Sequence, residues 1–268
     1  MIHTCHAREV PDDAVIRLLS TQWGDRGWGP AKYDHYYTAY PEGEPLSLVA
    51  VHDAGSNRGA VAGHFGLLPV TVAGISGYLA LHVLVDPTFR RGMALGRLVR
   101  YAEQQARQRG AQFICGFANA RFAKVVSRLF HWHVLGYLHF VDVAHLDVAA
   151  YCDRLRFAYG EAWFSWKFGC DRAAYLVPYE RTGTCHQQLL KTRDVQCVRA
   201  ADLGVSRLNV WHPQGYASAA DEGAWSQPFV LRSLSAGLPE RFASIHNWFV
   251  EMGDSDTFEP HQPWRATA

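Results

Sequence analysis

The chain has 268 residues, 49% of them apolar and 13% aromatic, which is enough for a large buried core in one or two domains. Lys and Arg (26) nearly balance Asp and Glu (25), and the net charge of +1 excludes an overall attraction to nucleic acid or anionic membranes. The six cysteines have neither C-x-x-C nor zinc-like spacing, and the apolar runs are too short to span a bilayer. We therefore expect a cytoplasmic globular protein without a secretory leader or a metal.

The first 45 residues combine a short β-type run with an amphipathic segment. Ile2–Arg8 predicts a strand, and Asp12–Trp23 predicts a helix, because Pro11 and Asp12 are good helix-start residues. Trp23–Pro45 is rich in Gly, Pro and Tyr, so it is either a short helix or a loop that covers something. Its aromatic residues could stack on a substrate ring or pack the first helices onto a sheet.

A series of β-type runs follows, and turn residues separate them. The first two runs are joined by Asp53-Ala54-Gly55-Ser56-Asn57, which predicts a hairpin. The last run, Tyr78–Val85, contains His82, a residue type that titrates near neutrality. His82 shares one face with Leu84 if the strand alternates regularly. The runs are Leu46–His52, Gly59–Leu68, Val70–Ala73 and Tyr78–Val85.

The segment after this strand predicts an anion site. The strand ends at Val85-Asp86-Pro87, and a turn with two arginines and several small residues, Arg90–Gly96, leads into a long helix. Backbone N–H groups at a helix N-terminus favour an anion, most naturally a pyrophosphate. The alternative is a tight strand–helix turn that binds nothing.

Helix and strand patterns alternate from this point to about residue 145. The helix ends at Gly110, and a strand at Gln112–Phe117, a helix at Arg121–Phe130 and two β runs within Trp132–Val143 follow. The helix that ends at Gly110 has an apolar stripe, which consists of Leu95, Leu98, Val99, Ala102 and Ala106. The residues mostly off that stripe are Arg97, Glu103, Gln104, Arg107 and Arg109.

The pattern changes beyond Asp147, which predicts a domain boundary near this point. Val148–Leu155 predicts a helix, and Trp163–Phe168 forms an aromatic cluster. The later β-type runs are Ala173–Val177, Cys185–Leu190, Val195–Arg199 and Ser206–Trp211, and the chain closes with Phe229–Leu234 and Phe242–Met252.

The segment Val83–Gly136 resembles the acyl-CoA-binding core of the GNAT superfamily of N-acetyltransferases. Val85-Asp86-Pro87 matches its strand ending in V-x-P, Asn119 matches its asparagine, and Gly136-Tyr137 stands for its final G-F or G-W. The glycine loop fits in two registers, Phe89…Gly92-Met93-Ala94 or Arg91…Ala94-Leu95-Gly96. Phe164–Phe168, followed by Tyr175, is similar to the start of a second lobe in longer bacterial, two-lobed members.

The resemblance implies an α/β fold in which a mixed, mostly antiparallel twisted sheet is flanked by helices. It implies an acyl-CoA-binding catalytic domain over 1–147 and a degenerate GNAT-like lobe over 148–268 that completes the acceptor cleft. The implied co-substrate is acetyl-CoA or another acyl-CoA. The implied cofactor-binding residues are Leu84, Val85, Arg90, Arg91, Gly92, Met93, Ala94, Leu95, Gly96 and Asn119.

His82 is the candidate general base, since its strand carries no carboxylate where some relatives have a glutamate. The alternative is a hydrogen-bonded core histidine. Many relatives use a tyrosine on the helix after the asparagine as the acid toward the thiolate, whereas this chain has Val126 and Ser127 there. His64 could line the acceptor cleft or be structural.

The implied activity is transfer of an acetyl group to a primary amine of a small metabolite or amino sugar, by direct attack in a ternary complex. An acyl carrier protein as donor is one alternative, which a basic rim at Arg90 and Arg91 would favour. A binding or scaffold protein that has lost chemistry is another, and the missing tyrosine and carboxylate would favour it. A homodimer is possible, and we expect no nucleic-acid or membrane partner.

Overall fold

The computed structural model describes residues 2–23, 28–53, 55, 58–90, 93–169, 174–181, 184–193, 195–218 and 226–255. The described residues divide into two compact units. Unit 1 comprises those of 1–71 and 75–114, and unit 2 comprises 72–74 and those from 115 onward. The functional division expected at residue 147 stays a prediction. Among the described residues, no helix combines the length and apolarity needed to cross a membrane.

Unit 1 contains an antiparallel meander with helices packed on it. Its strands lie in the order β1-β2-β3-β4, and both β1 with β2 and β2 with β3 pair antiparallel, which confirms the predicted hairpin. In chain order the elements are β1 (Ile2–His6), α1 (Asp12–Trp23), α2 (Pro30–Tyr37), β2 (Leu46–His52), β3 (Val61–Val72), β4 (Ile75–Val85), α3 (Ala94–Gln108) and the start of β5 (Phe113–Phe117).

Strand β3 is one continuous strand, whereas the sequence predicted two runs. Nearly all of its residues are buried, so its pattern lacks the alternation that marks a half-exposed strand. Gly63 allows a close approach, since a Cβ there would lie 2.9 Å from the Leu84 carbonyl oxygen and 2.9 Å from a methyl group of Leu98. The chain then reverses at Ala73-Gly74, where both residues have positive φ.

Helix α3 buries most of the predicted apolar stripe, including Leu98 and Val99. Two positions of this helix depart from the stripe. Leu95 is only half-buried, and Glu103 is buried rather than off the core face. The Glu103 carboxylate lies 3.4 Å from the Arg107 guanidinium one turn later, so the burial of its charge is partly compensated.

Unit 2 contains a second set of strands with antiparallel pairing. The end of β5 is followed in the sheet by β13, β6 and β12, and β6 pairs antiparallel with both β12 and β13. The elements after β5 are α4 (Ala120–Phe130), β6 (His133–Val143), β7 (His145–Asp147), β8 (Phe157–Ala158), α5 (Glu161–Phe168), β9 (Ala174–Arg181), β10 (Thr184–Thr192), β11 (Cys197–Arg199), β12 (Leu208–Ala217) and β13 (Ser226–Ser233).

Two predictions in unit 2 were wrong. The two β runs predicted within Trp132–Val143 form the single strand β6. The helix predicted at Val148–Leu155 is only a short 3-10 turn at Ala149–Tyr151, because the Leu155 N–H bonds instead to the Asn247 carbonyl at 2.7 Å. A contact distant in sequence therefore overrides the local helical pattern. The mixed, mostly antiparallel fold class is nevertheless confirmed.

A buried ionic cluster joins β10 to the last described segment of unit 2. Lys191 Nζ lies 3.1 Å from Glu251 Oε2 and 2.9 Å from Asp254 Oδ1, and all three side chains are buried. The Thr192 N–H and hydroxyl both donate to Glu251 Oε1, at 2.9 and 2.7 Å. Buried charges persist only with such partners, so this cluster fixes the segment from Glu251 to Asp254 against β10.

Candidate functional site

The turn that follows β4 is tightly organised. Asp86 Oδ1 accepts a hydrogen bond from the Thr88 N–H at 2.8 Å and caps a 3-10 turn. The exposed side chain of Arg90 folds back, and its Nε donates to the Val85 carbonyl at 3.1 Å. The guanidinium of Arg90 therefore lies at the end of β4, beside Val85, one of the predicted cofactor-binding residues. Arg91 and Gly92 lie outside the described residues.

Helix α3 begins directly after this turn, at Ala94. The residue before it is Met93, whose thioether is a weak acceptor and whose side chain is 63% exposed. The first turn carries no acidic side chain, and its small residues Ala94 and Gly96 keep the helix end uncrowded. The N–H groups of a first turn lack partners within the helix and carry partial positive charge. This arrangement is suited to an anion such as a pyrophosphate.

His82 lies in a left-handed kink within β4. Its φ is +49°, which is uncommon for a residue with a side chain and interrupts the extended backbone on which the predicted alternation depends. Leu84, two residues later, is buried and Val85 is half-buried. Their cofactor-binding role stays a prediction. Backbone conformations of this kind cluster at functional sites, where surrounding contacts hold them.

The imidazole of His82 is held by three aromatic residues from the segment before β2. The Tyr37 hydroxyl lies 2.9 Å from His82 Nδ1. The rings of Trp28 and Tyr36 each pack edge-on against the imidazole, at centroid distances of 4.7 Å. His82 is 6% exposed, so its orientation is fixed by packing as well as by the hydrogen bond.

Tyr37 reaches His82 because the β3 residue that its hydroxyl packs against is a glycine, Gly66. A Cβ on Gly66 would lie 2.2 Å from the Tyr37 hydroxyl oxygen, a distance that no side chain can occupy. An isolated glycine within a β pattern is a signal of close approach, and Gly66 is the sequence feature that could have indicated this contact.

A second group of polar side chains contacts the backbone of His82. His64 on β3 is wholly buried, and its Nδ1 lies 2.8 Å from the His82 carbonyl oxygen. Its Nε2 lies 2.9 Å from the Ser47 hydroxyl, which also accepts a hydrogen bond from the Tyr33 hydroxyl at 2.8 Å. Burial lowers the pKa of His64 to about 4 and raises the pKa of Tyr33 to about 12. Both groups are therefore neutral near pH 7.

The segment Trp23–Pro45, for which the sequence predicts either a short helix or a covering loop, contains the helix α2. Several of its aromatic residues are buried against the rest of unit 1, and the Tyr40 hydroxyl donates to the Pro69 carbonyl at 2.9 Å. Lys32, which the sequence analysis did not single out, is wholly buried, with its ammonium 4.8 Å from the Trp28 ring centroid. Nothing in the local pattern distinguishes Lys32 from a surface lysine.

Asn119 and Ser127 belong to unit 2. Asn119 is the N-cap of α4, and its Oδ1 accepts a hydrogen bond from the Phe122 N–H at 2.8 Å. This bond gives Asn119 a structural role, and its cofactor-binding role stays a prediction. Ser127 is half-buried, and its hydroxyl donates weakly to the Lys124 carbonyl at 3.4 Å. Within the described parts of the chain, His, Cys, Asp and Glu side chains form no group of three that could hold a metal ion.

No family model matches the chain, and no curated protein matches its sequence. Solved structures do match it. A GCN5-related N-acetyltransferase from Kribbella flavida aligns with a TM-score of 0.55 and 13% identity, over 87% of this chain and 71% of its own. A conserved protein of unknown function from Enterococcus faecalis, titled a probable N-acyltransferase, aligns with a TM-score of 0.53 and 8% identity, over 87% and 72%.

A GNAT family acetyltransferase from Brucella melitensis, in complex with acetyl-CoA, is 26% identical but aligns with only 50% of this chain, at a TM-score of 0.37. The fold assignment therefore depends on the two longer alignments, each of which covers most of the chain. Their low identity leaves the chemistry to be argued from this chain's own residues. The chain has the fold of the GNAT superfamily of N-acetyltransferases.

Proposed function

We propose that the protein transfers an acyl group, and specifically acetyl, from an acyl-CoA to a primary amine of a small metabolite such as an amino sugar. The observation that supports this proposal is the left-handed backbone of His82 in β4, together with the imidazole that Tyr37, Trp28 and Tyr36 hold in place. A strained backbone and an ordered titratable side chain at one residue favour a catalytic role over simple packing.

In the proposed reaction, His82 is the general base. An amine is protonated near neutral pH, and it must lose a proton to attack the thioester carbonyl carbon. If His82 Nδ1 carries a proton and donates to the Tyr37 oxygen, Nε2 is the basic nitrogen. Nε2 takes one proton from the ammonium, and the neutral amine then attacks the carbonyl carbon to form the C–N bond. As the C–S bond breaks, the nitrogen loses its second proton through solvent to the departing thiolate, so CoA leaves as its thiol.

The N-terminal end of α3 is the proposed site for the pyrophosphate of the acyl-CoA. The first turn of α3 offers backbone N–H groups and small residues, and it has no carboxylate that would repel an anion. The Arg90 guanidinium at the end of β4 adds positive charge beside it. Leu84 and Val85 would then lie along the pantetheine arm, and we propose that Asn119 also contributes to binding.

Two measurements test this proposal. Calorimetry with acetyl-CoA measures binding, and release of free thiol in the presence of a panel of primary amines measures transfer. We expect binding together with amine-dependent thiol release. Failure to bind acetyl-CoA would contradict the proposal, and would favour an acyl carrier protein as donor or a protein that only binds.

His82→Asn tests the role of the imidazole. Asparagine tolerates a left-handed backbone, so this variant removes the base with little change in the kink. We expect kcat/KM to fall about 100-fold or more with acetyl-CoA affinity unchanged. His133→Asn, at an exposed strand histidine of unit 2, is the control and should retain full activity. Unchanged turnover in His82→Asn would remove His82 from the mechanism.

A further inference from the structure

The kink at His82 needs an external support, because a left-handed backbone is unfavourable for a residue with a Cβ. His64, the buried histidine of β3, contacts the carbonyl oxygen of His82. His64 belongs to a series of hydrogen bonds that continues through Ser47 on β2 to Tyr33 on α2. We call these three residues the His64 chain.

The direction of every bond in the His64 chain follows from elementary chemistry. The His82 carbonyl oxygen can only accept, so His64 Nδ1 must carry the proton. Because His64 is neutral, its Nε2 is then an acceptor and accepts a hydrogen bond from the Ser47 hydroxyl. The Ser47 oxygen in turn accepts from the Tyr33 hydroxyl. Each group donates once, toward His82.

We propose that the His64 chain is a positioning device that holds the kink at His82, and that His64 is therefore a positioning residue for acyl transfer. The proposal rests on the proposed role of His82 as the general base. His64 holds the carbonyl of His82, while Tyr37 holds its imidazole, so backbone and side chain are fixed by different elements.

Ser47 has a specific part in this device, which is to select the tautomer of His64. A neutral imidazole has one N–H, and the proton on Nε2 would leave the His82 carbonyl without its donor. The Ser47 hydroxyl, which Tyr33 holds in place, stabilises the form with the proton on Nδ1. Loss of the Ser47 hydroxyl should therefore loosen the kink even though His64 is still present.

Three substitutions separate positioning from packing. His64→Leu removes the donor, and His64→Asn keeps an amide N–H near the position of Nδ1. We expect His64→Leu to lower kcat about 100-fold with the KM for acetyl-CoA nearly unchanged, because misplacing a catalytic group by about 1 Å can cost that much. We expect His64→Asn to recover at least tenfold of this loss, and Ser47→Ala to fall between the two. His133→Leu, at an exposed strand histidine, is the matched control.

Crystal structures of the variants supply a readout that activity alone does not. We expect His82 to keep its left-handed φ in His64→Asn and to relax toward an extended φ in His64→Leu. Wild-type turnover in His64→Leu, or an unchanged kink in its structure, would overturn the proposal. Equal impairment of the Leu and Asn variants, with equal thermal stability, would also overturn it, since only packing would then matter.

Nitrogen-15 NMR of the unmodified protein tests the same proposal without any variant. We expect His64 to show a protonated Nδ1 and an unprotonated Nε2 between about pH 6 and 8, where it is neutral. The opposite tautomer would overturn the proposal even if His64→Leu does not fold. If the wild-type protein transfers no acyl group, the proposed function fails, whereas the tautomer and the kink still report whether the His64 chain acts as described.

Discussion

Lowering the pH should destabilise the folded protein through His64. Burial lowers the pKa of this side chain from 6.5 to about 4, although its bond to the His82 carbonyl opposes the change. In the unfolded chain the imidazole takes up a proton as the pH falls below 6.5, whereas in the folded protein it stays neutral down to about pH 4. The stability is therefore complete above pH 6.5 and is lost progressively between these two values.

The magnitude follows from the size of the pKa change. Each tenfold change in proton affinity corresponds to about 1.4 kcal/mol, so the full loss is about 3 kcal/mol, of which about 2 kcal/mol is reached by pH 5. A loss of this size is a large fraction of the stability of a typical domain, about 5–15 kcal/mol.

The assay is urea unfolding at a series of pH values from 8 to about 5, for the wild-type protein and for His64→Asn. Asparagine does not titrate, so the difference in unfolding free energy between the two proteins isolates His64 from the other ionisable groups. We expect the wild-type protein to lose about 2 kcal/mol relative to the variant over this range. A difference that stays constant with pH would contradict this prediction, since His64 would then titrate alike in the folded and unfolded states.

Three further predictions concern other contacts. Gly66→Ala places a methyl group 2.2 Å from the Tyr37 hydroxyl oxygen, so Tyr37 must withdraw, and we expect turnover to fall about tenfold with acetyl-CoA affinity retained. Glu251→Gln weakens the pairing of a buried lysine and should cost about 3 kcal/mol in urea unfolding, whereas the control Glu161→Gln, at an exposed ion pair, should cost under about 1 kcal/mol. Asn119→Ser keeps a helix cap and should leave stability within about 0.5 kcal/mol, so weaker acetyl-CoA binding by this variant would be direct evidence that Asn119 contacts the cofactor.

Patterns that depend on neighbouring residues predicted the structure well. Helix α1 and strand β2 have the predicted bounds, because a helix start at Asp12 and a hairpin turn after His52 are encoded within a few residues. The pattern at Val148–Leu155 misled for the opposite reason, since the bond to Asn247 comes from a segment about ninety residues later.

The site was predictable only in part. The glycine turn and His82 stand out in the sequence, because small residues before a helix and a titratable residue in an apolar strand are local signals. Ser47 and Tyr33 have no such signal in the sequence. The Ser47 hydroxyl bonds to His64, the Tyr33 hydroxyl bonds to Ser47, and both bonds join residues that are distant along the chain. The kink itself is also invisible, because histidine, unlike glycine, does not mark a left-handed backbone.

The conformation of His82 can be measured by comparing two substitutions that both remove the imidazole. Asparagine tolerates a left-handed φ better than alanine does, so we expect His82→Asn to be more stable than His82→Ala by about 1 kcal/mol, although both should lose about 100-fold or more in kcat/KM. The same pair at Val83, the next residue of β4, is the control. There the backbone is extended, and alanine should be at least as stable as asparagine. Equal stability of the two His82 variants would mean that the kink carries no strain, and would remove the physical reason for proposing a catalytic role for this strand.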